Sequence, residues 1–166
     1  MSRRSLFTRR AAKAAPVGFR PPWSIPAFDR SCDSCGACLS ACPDAVLVKD
    51  SAGRPVLDFD RGGCSFCGDC ATACLPRDGR PAAIDRLVSP ADTLPLIAEL
   101  GGACISVQGV ACRVCGDPCD PRAIRFRPVV GGRVLPEISA ETCTGCGVCV
   151  SACPVGALTM APLSRA

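Results

Sequence analysis

The sequence predicts an α+β chain of two similar small units, each built from short helices and short antiparallel hairpins. Three observations support this prediction. A cysteine-rich run occurs four times, a hairpin-like segment follows the first and third runs, and aromatic residues make up only 4% of the 166 residues. Because a unit of about 60 residues with few aromatics buries little apolar surface, each unit needs internal staples or metal centres to fold.

Three of the four runs share the spacing CxxCxxCxxxC with a proline close behind. They read CDSCGACLSACP from 32 to 43, CSFCGDCATACLP from 64 to 76, and CTGCGVCVSACP from 143 to 154. Residues 112 to 121, CRVCGDPCDP, hold only three cysteines. Cys104 is the one cysteine available upstream, so ISVQGVA replaces the usual two-residue gap. The alternative is that Cys104 is a buried apolar side chain and that this site holds three irons or none.

The ligand chemistry follows from the residue types. The chain has 16 Cys and no His, which excludes mixed Cys–His zinc sites, Rieske clusters and His-dependent catalytic triads. Four-cysteine zinc sites usually draw two separated CxxC pairs, whereas CxxCxxCxxxCP resembles the [4Fe-4S] run of bacterial ferredoxins. We therefore predict four [4Fe-4S] clusters, in two tandem di-cluster ferredoxin domains. No catalytic or nucleotide-binding motif is visible, so we predict no enzymatic activity.

In bacterial ferredoxins the first three thiolates of a run hold one cluster and the fourth reaches its neighbour. The resemblance implies a first set of Cys32, Cys35, Cys38 and Cys74, a second of Cys64, Cys67, Cys70 and Cys42, a third of Cys104, Cys112, Cys115 and Cys153, and a fourth of Cys143, Cys146, Cys149 and Cys119. After both Cys74 and Cys119, one residue stands between the cysteine and the following proline, unlike the plain CP of the other runs. Gly36, Gly68 and Gly147 follow the second cysteine of their runs, where we expect positive φ; ordinary turn glycine is the alternative.

The segments between the runs predict the strands. AVLV and PVLDFD flank the turn at Gly53, and AIRF and RVLPEIS flank Gly131-Gly132, which is a hairpin pattern. PAAIDRL (81–87) and GALTMAP (156–162) suit closing strands. The pattern of run, hairpin, run and strand thus occurs twice. We assign residues 29–88 to the first domain, 89–100 to a linker and first strand, and 101–163 to the second domain. The mostly apolar segment ISVQGVA (105–111), which widens the third run, is expected to shield the cluster of that run from water.

Residues 1–28 form a predicted basic arm. They hold six basic residues and no acidic one, so the remainder carries a net charge of −2 against +4 for the whole chain. Four oxidised clusters would bring that remainder to about −10. An acidic body disfavours nucleic acid as a partner. SRRSLF is similar to an export motif, but three more cations and no apolar stretch follow it, and no transmembrane run is present, so we predict a cytoplasmic protein.

SRRSLFTRR, RPPWS at 20–24 and four runs with the third one widened together resemble the NapF-type ferredoxin-like proteins of periplasmic nitrate reductase systems. The resemblance implies an accessory protein that binds the cytoplasmic precursor of the catalytic subunit and assists its maturation by supplying electrons or clusters. The alternative is a polyferredoxin electron carrier or electron-transfer subunit. The residues expected to bind the partner are Arg3, Arg4, Arg9, Arg10, Arg20 and Trp23, although Trp23 has the alternative of packing against the first domain.

Overall fold

The computed structural model describes residues 18–88 and 92–163, which form the predicted short helices and two-stranded antiparallel sheets. The first half contains α1 (Phe28–Ser31), α2 (Ala37–Ala41), β1 (Leu47–Lys49), β2 (Pro55–Leu57) and α3 (Asp69–Thr72). β1 pairs with β2, with Leu47 opposite Leu57. Gly53 closes this hairpin with a φ of +77°, a conformation that glycine adopts without steric cost. The first predicted hairpin is confirmed.

The second half contains β3 (Leu96–Leu100), β4 (Ile124–Val129), β5 (Arg133–Ile138), α4 (Val148–Ala152) and β6 (Leu158–Pro162). β4 and β5 form the second predicted hairpin, with Ile124 opposite Ile138. β3 pairs antiparallel with β6, with Leu100 opposite Leu158. The apolar end of the 89–100 segment therefore supplies a strand, and GALTMAP supplies its partner, as the sequence predicts.

Apolar side chains of both halves share one buried cluster. Phe59 of the first half and Leu96 and Leu158 of the second belong to it, and so do the thiols of Cys38, Cys70, Cys119 and Cys149. The halves are closely fitted, because a Cβ added at Gly147 would overlap the Phe59 ring. Cysteine side chains thus supply part of the core that the scarce aromatics cannot. Within the described residues, no helix has the length and apolar character needed to cross a bilayer.

The predicted arm, residues 1–28, is too long, because its last part packs on the first half. Phe19 makes an antiparallel bridge to the end of β2. The Arg20 guanidinium forms ion pairs with Asp29 and Asp50, each with an N–O distance of 2.9 Å. The first 17 residues lie outside the described part of the chain. Any removable arm therefore ends before Phe19.

The predicted closing strand of the first half, residues 81–87, is wrong, since the segment forms only a single bridge between Ile84 and Ser24. Prolines explain the difference, because a proline has no N–H to donate to a ladder. The segment opposite Ile84 is flanked by Pro21, Pro22 and Pro26. Ile84 is nevertheless buried, with 1% of its surface exposed, so the segment still closes the core.

Candidate metal centres

In three runs the backbone turns around the second cysteine in the same way. The residue before that cysteine and the glycine after it both have positive φ in the pairs Ser34 and Gly36, Phe66 and Gly68, and Gly145 and Gly147. The glycine of each pair then precedes a short helix, α2, α3 or α4. Because a Cβ is disfavoured at these φ values, the prediction for Gly36, Gly68 and Gly147 is confirmed.

Each of two cavities in the first half is surrounded by four thiols. One cavity is lined by the predicted first set, Cys32, Cys35, Cys38 and Cys74. The other is lined by the predicted second set, Cys42, Cys64, Cys67 and Cys70. The fourth cysteine of each run therefore lies beside the first three of the other run. Among the described residues, no three Cys, Asp or Glu side chains are close enough to hold one ion, and the thiols stand around a shared space instead.

The second half repeats this arrangement. A third cavity is lined by the predicted third set, Cys104, Cys112, Cys115 and Cys153. Of the fourth set, Cys119 and Cys149 lie in the buried core and Cys143 packs against it. The structure thus brings together the members of the first three predicted sets around cavities, and coordination of iron stays a prediction for all four.

Burial keeps these thiols protonated until a metal arrives. Desolvation, with added repulsion from neighbouring thiols, raises the pKa of Cys38 to about 11 and that of Cys70 to about 12. Desolvation likewise raises the pKa of Cys115 to about 11 and that of Cys149 to about 12. A positively charged iron centre reverses this balance and makes the thiolate the favoured form. Soft, buried donors of this kind suit iron–sulfur centres.

The four sets adjoin one another. Helix α2, which carries Cys38 of the first set, contacts helix α3, which carries Cys70 of the second. In the other half, Cys149 of the fourth set lies in the buried core, and Cys115 of the third set packs against that core. Between the halves, the N–H of Cys64 donates a hydrogen bond of 2.8 Å to the carbonyl of Cys146, which joins the second set to the fourth. The sets therefore form one continuous series.

The third run differs from the others in lacking a helix. Aligned on its third cysteine, the helix would cover residues 114–118, where the chain forms successive turns. That stretch contains Gly116 and Pro118, the two residue types with the lowest helix propensity. Arg113 occupies the position of the capping glycine, and its guanidinium lies 5.5 Å from the centre of the Phe126 ring. The contact attaches this turn to β4, which carries Phe126.

A buried serine holds the widened loop of the third run. Ser106 is 1% exposed. Its hydroxyl donates to the Cys112 carbonyl at 2.9 Å and accepts from the Cys112 N–H at 3.1 Å. Ile105 lines the cavity, but Val107 and Val110 are 41% and 62% exposed, so the expectation of an apolar shield is largely wrong. The loop instead returns Cys112 to its set. A lone hydroxyl in an apolar loop was the sequence signal for this role.

We expect Ser106→Ala to weaken the third site selectively. The change leaves the N–H and carbonyl of Cys112 without their partner, at a cost of about 1–3 kcal/mol for each group that stays buried. Iron analysis after a timed chelator challenge should show early loss of up to about four of about 16 irons. Ser151→Ala is the matched control, because the exposed Ser151 hydroxyl donates only to the Val148 carbonyl. Equal iron loss in the two variants would contradict this role.

The backbone after Cys74 differs from the backbone after Cys119, although one residue precedes the proline in both places. Ala45 and Arg122 both have left-handed backbone and both lie three residues after the fourth cysteine of their run. The chain after Cys119 therefore keeps the same offset as after Cys42, although Asp120 separates Cys119 from Pro121. After Cys74 the left-handed residue is Asp78, one position later. The left-handed position is therefore displaced only after Cys74.

The residues predicted to bind a partner fall into three groups. Arg3, Arg4, Arg9 and Arg10 lie outside the described residues. The side chain of Arg20 is 29% exposed, and its guanidinium lies 4.8 Å from the centre of the Phe28 ring. Trp23 is only 3% exposed, so it packs against the first half, which was the stated alternative, and offers no surface to a partner.

Trp23 lines the cavity of the second set, a position that the sequence did not reveal. Its indole N–H is buried and has no hydrogen-bond partner among the described residues. A buried donor without a partner costs about 1–3 kcal/mol. Buried polar groups in native proteins are nearly always paired. The unpaired indole N–H beside four thiols therefore indicates an acceptor that the described residues do not include.

Two segments of the chain match family models for iron–sulfur binding. Residues 31–76 match a 4Fe-4S dicluster domain and residues 136–159 match a 4Fe-4S binding domain. These segments include the first, second and fourth runs, and the widened third run lies between them. The chain therefore contains 4Fe-4S binding domains, a finding that does not depend on the thiol geometry.

Whole-chain similarity extends beyond these segments. The chain is 40% identical over 162 residues to the ferredoxin-type protein NapF of Escherichia coli (strain K12), covering 95% of this chain and 93% of that protein. It is 40% identical over 153 residues to NapF of Haemophilus influenzae, covering 90% and 82%. It is also 34% identical over 173 residues to the methylamine utilization ferredoxin-type protein MauM of Paracoccus denitrificans, covering 92% and 75%.

Proposed function

Since the chain belongs to the NapF family of ferredoxin-type proteins, we propose that it holds four [4Fe-4S] clusters and assists maturation of the periplasmic nitrate reductase catalytic subunit. It binds the precursor of that subunit in the cytoplasm and supplies electrons or iron–sulfur units to it. The role is that of an accessory protein and not of an enzyme. The observation that carries the proposal is the series of four adjoining thiol sets, joined across the two halves at Cys64 and Cys146.

The surroundings of the thiols favour electron supply over cluster donation. A [4Fe-4S] cluster provides one-electron chemistry when it is bound. Every set includes at least one thiol that is buried in the protein, namely Cys38, Cys70, Cys104, Cys119 and Cys149. Release of a cluster would require opening the core around these side chains, whereas electron supply leaves the core closed. The adjoining sets equally suit the alternative of a plain electron carrier.

A basic arm is expected in an accessory protein that binds one partner, whereas a general electron carrier does not need one. Residues 1–17 hold five basic residues and no acidic one, while the body becomes strongly acidic once its clusters are bound. Opposite charges on two parts of one chain suit steering toward a partner with an acidic surface. A cytoplasmic location fits this role, because the precursor is made there and thiols remain reduced.

Deletion of residues 1–17 should weaken capture of the precursor while leaving iron content unchanged. No cysteine lies in that segment, and the packed residues from Phe19 onward are retained. We expect capture by the truncated protein to depend less steeply on salt, because the removed charges no longer contribute. The measurement is a pull-down of the purified precursor by full-length and truncated protein across a range of salt concentrations.

Two controls sharpen this experiment. Replacing Arg3, Arg4, Arg9 and Arg10 by Gln tests charge without changing length. Replacing Arg125 and Arg133 by Gln removes exposed charge from the body instead and should change capture little. Normal precursor capture and normal nitrate reductase maturation with the truncated protein would rule out the arm as a docking element and favour the plain carrier.

A further inference from the structure

The backbone holds Trp23 in an unusual conformation. Its φ is +62°, in the left-handed region that bulky residues rarely occupy. Hydrogen bonds fix the turn around it: the Ser24 hydroxyl donates to the Pro21 carbonyl at 2.8 Å, and the Asp85 N–H donates to the Trp23 carbonyl at 2.8 Å. Residues kept in such conformations by their surroundings concentrate at functional sites. The fold thus specifies where this indole ring lies.

Neighbouring side chains clamp the ring against the second set. Phe66, which lies between Cys64 and Cys67 in the chain, meets the indole edge-on, with ring centres 6.4 Å apart and an angle of 81°. The Arg86 guanidinium lies 4.8 Å from the centre of the indole ring. Trp23 and all four thiols of the second set line the same cavity. The indole is therefore held in place beside one metal centre.

We propose that the Trp23 indole N–H donates a hydrogen bond to a sulfur of the cluster held by the second set, and so tunes the reduction potential of that cluster. Within the described residues, no protein atom accepts this proton. Trp23 is only 3% exposed, so bulk water does not reach the N–H either. Cluster sulfur is the acceptor that the surrounding thiols would bring into this cavity. The inference rests on the proposed function, because it requires a cluster in the second set.

The direction of the effect follows from electrostatics. An added electron makes the cluster more negative, and an N–H donor stabilises the more negative state. The hydrogen bond therefore raises the reduction potential of this centre relative to the same centre without it. The described residues contain no second tryptophan, and the full chain has only one, so this donor acts on one set alone.

Isotopic labelling tests the hydrogen bond in the intact protein. Because the chain contains a single Trp, growth with tryptophan carrying an indole ¹⁵N label marks one atom only. Pulsed electron–nuclear double resonance of the reduced, fully loaded protein should then show a ¹⁵N coupling to one cluster, together with an exchangeable proton. A protein with its full iron content but no ¹⁵N coupling overturns the inference. Iron content short of four clusters would instead count against the proposed function.

A substitution tests the effect on potential. Trp23→Phe keeps an aromatic ring but removes the N–H, so all four clusters should remain. At a fixed applied potential, the ratio of reduced to oxidised form should fall roughly tenfold for one cluster, equivalent to about 59 mV for a one-electron couple. Phe59→Leu is the control, because this buried ring has no donor and does not line the first, second or third cavity. Unchanged reduction potentials in Trp23→Phe protein that holds all its clusters would overturn the tuning role. If this variant does not bind its full set of clusters, the ¹⁵N-labelled unsubstituted protein still tests the hydrogen bond.

Discussion

Stripping the metal from this protein should unfold it. Cysteine thiols of the sets are buried among the apolar side chains of the core, and each of three sets surrounds a cavity. Structural metal sites contribute about 10–16 kcal/mol in small domains that fold only with metal, as zinc-finger peptides show. A small domain has a total stability of only about 5–15 kcal/mol. Loss of the clusters therefore removes as much free energy as the fold possesses.

Circular dichroism and amide hydrogen exchange before and after anaerobic chelation give the measurement. We expect both to report a largely unfolded chain after iron removal, with recovery when iron and sulfide are restored. The loaded protein should contain about 16 iron and about 16 sulfide per chain, because 16 cysteines form four complete sets. Native-like exchange protection in the metal-free chain would contradict this prediction, and bound zinc with little sulfide would end the iron–sulfur interpretation.

Replacing Cys104 by serine should damage one cluster and spare three. Cys104 is buried and lines the third cavity together with Cys112, Cys115 and Cys153. A serine oxygen is a harder ligand than a thiolate and suits iron in such clusters less well. The third site should therefore convert to a three-iron form or lose its cluster.

Electron paramagnetic resonance and iron analysis distinguish these outcomes. We expect a loss of between about one and four of about 16 irons, with the signals of the other three centres retained. Gln108→Ala is the control, because the exposed side chain of this residue in the same loop donates only to the Gly102 carbonyl and its backbone bond to the Cys104 carbonyl is kept. Four unchanged [4Fe-4S] signals in the Cys104→Ser protein would show that Cys104 is not a ligand and that the third run uses another donor.

Much of the fold could be predicted from local sequence because local rules determine it. The hairpins follow from alternating apolar residues around Gly53 and around Gly131-Gly132, and the loops of the runs follow from Gly36 and its equivalents. The grouping of thiols into sets was implied by the resemblance of the runs to those of bacterial ferredoxins. The absence of a helix in the third run also follows from local sequence, because Pro118 lies in the segment that would form it.

Features that depend on tertiary packing could not be predicted in this way. The RPPWS motif left open whether Trp23 binds a partner or packs inside the protein. It is buried because residues 81–87, which are far from it in the sequence, pack beside it. Ser106 stands out in the sequence as a lone hydroxyl in an apolar loop, but its two hydrogen bonds to Cys112 depend on how the loop folds. The contact between Cys64 and Cys146 joins residues of different halves, and no pattern within either half specifies it.

The contact between Cys64 and Cys146 also changes the order in which the four sets meet. The chain encodes them as first, second, third and fourth, but in space the order is first, second, fourth and third. If each set holds a cluster as proposed, the first and third sets are the ends of an electron-transfer chain and the other two are its interior. Loss of the cluster at Cys104 would then leave three adjoining centres, whereas loss of the cluster at Cys67 would separate the first centre from the other two. The run with the widened gap would thus hold a terminal centre.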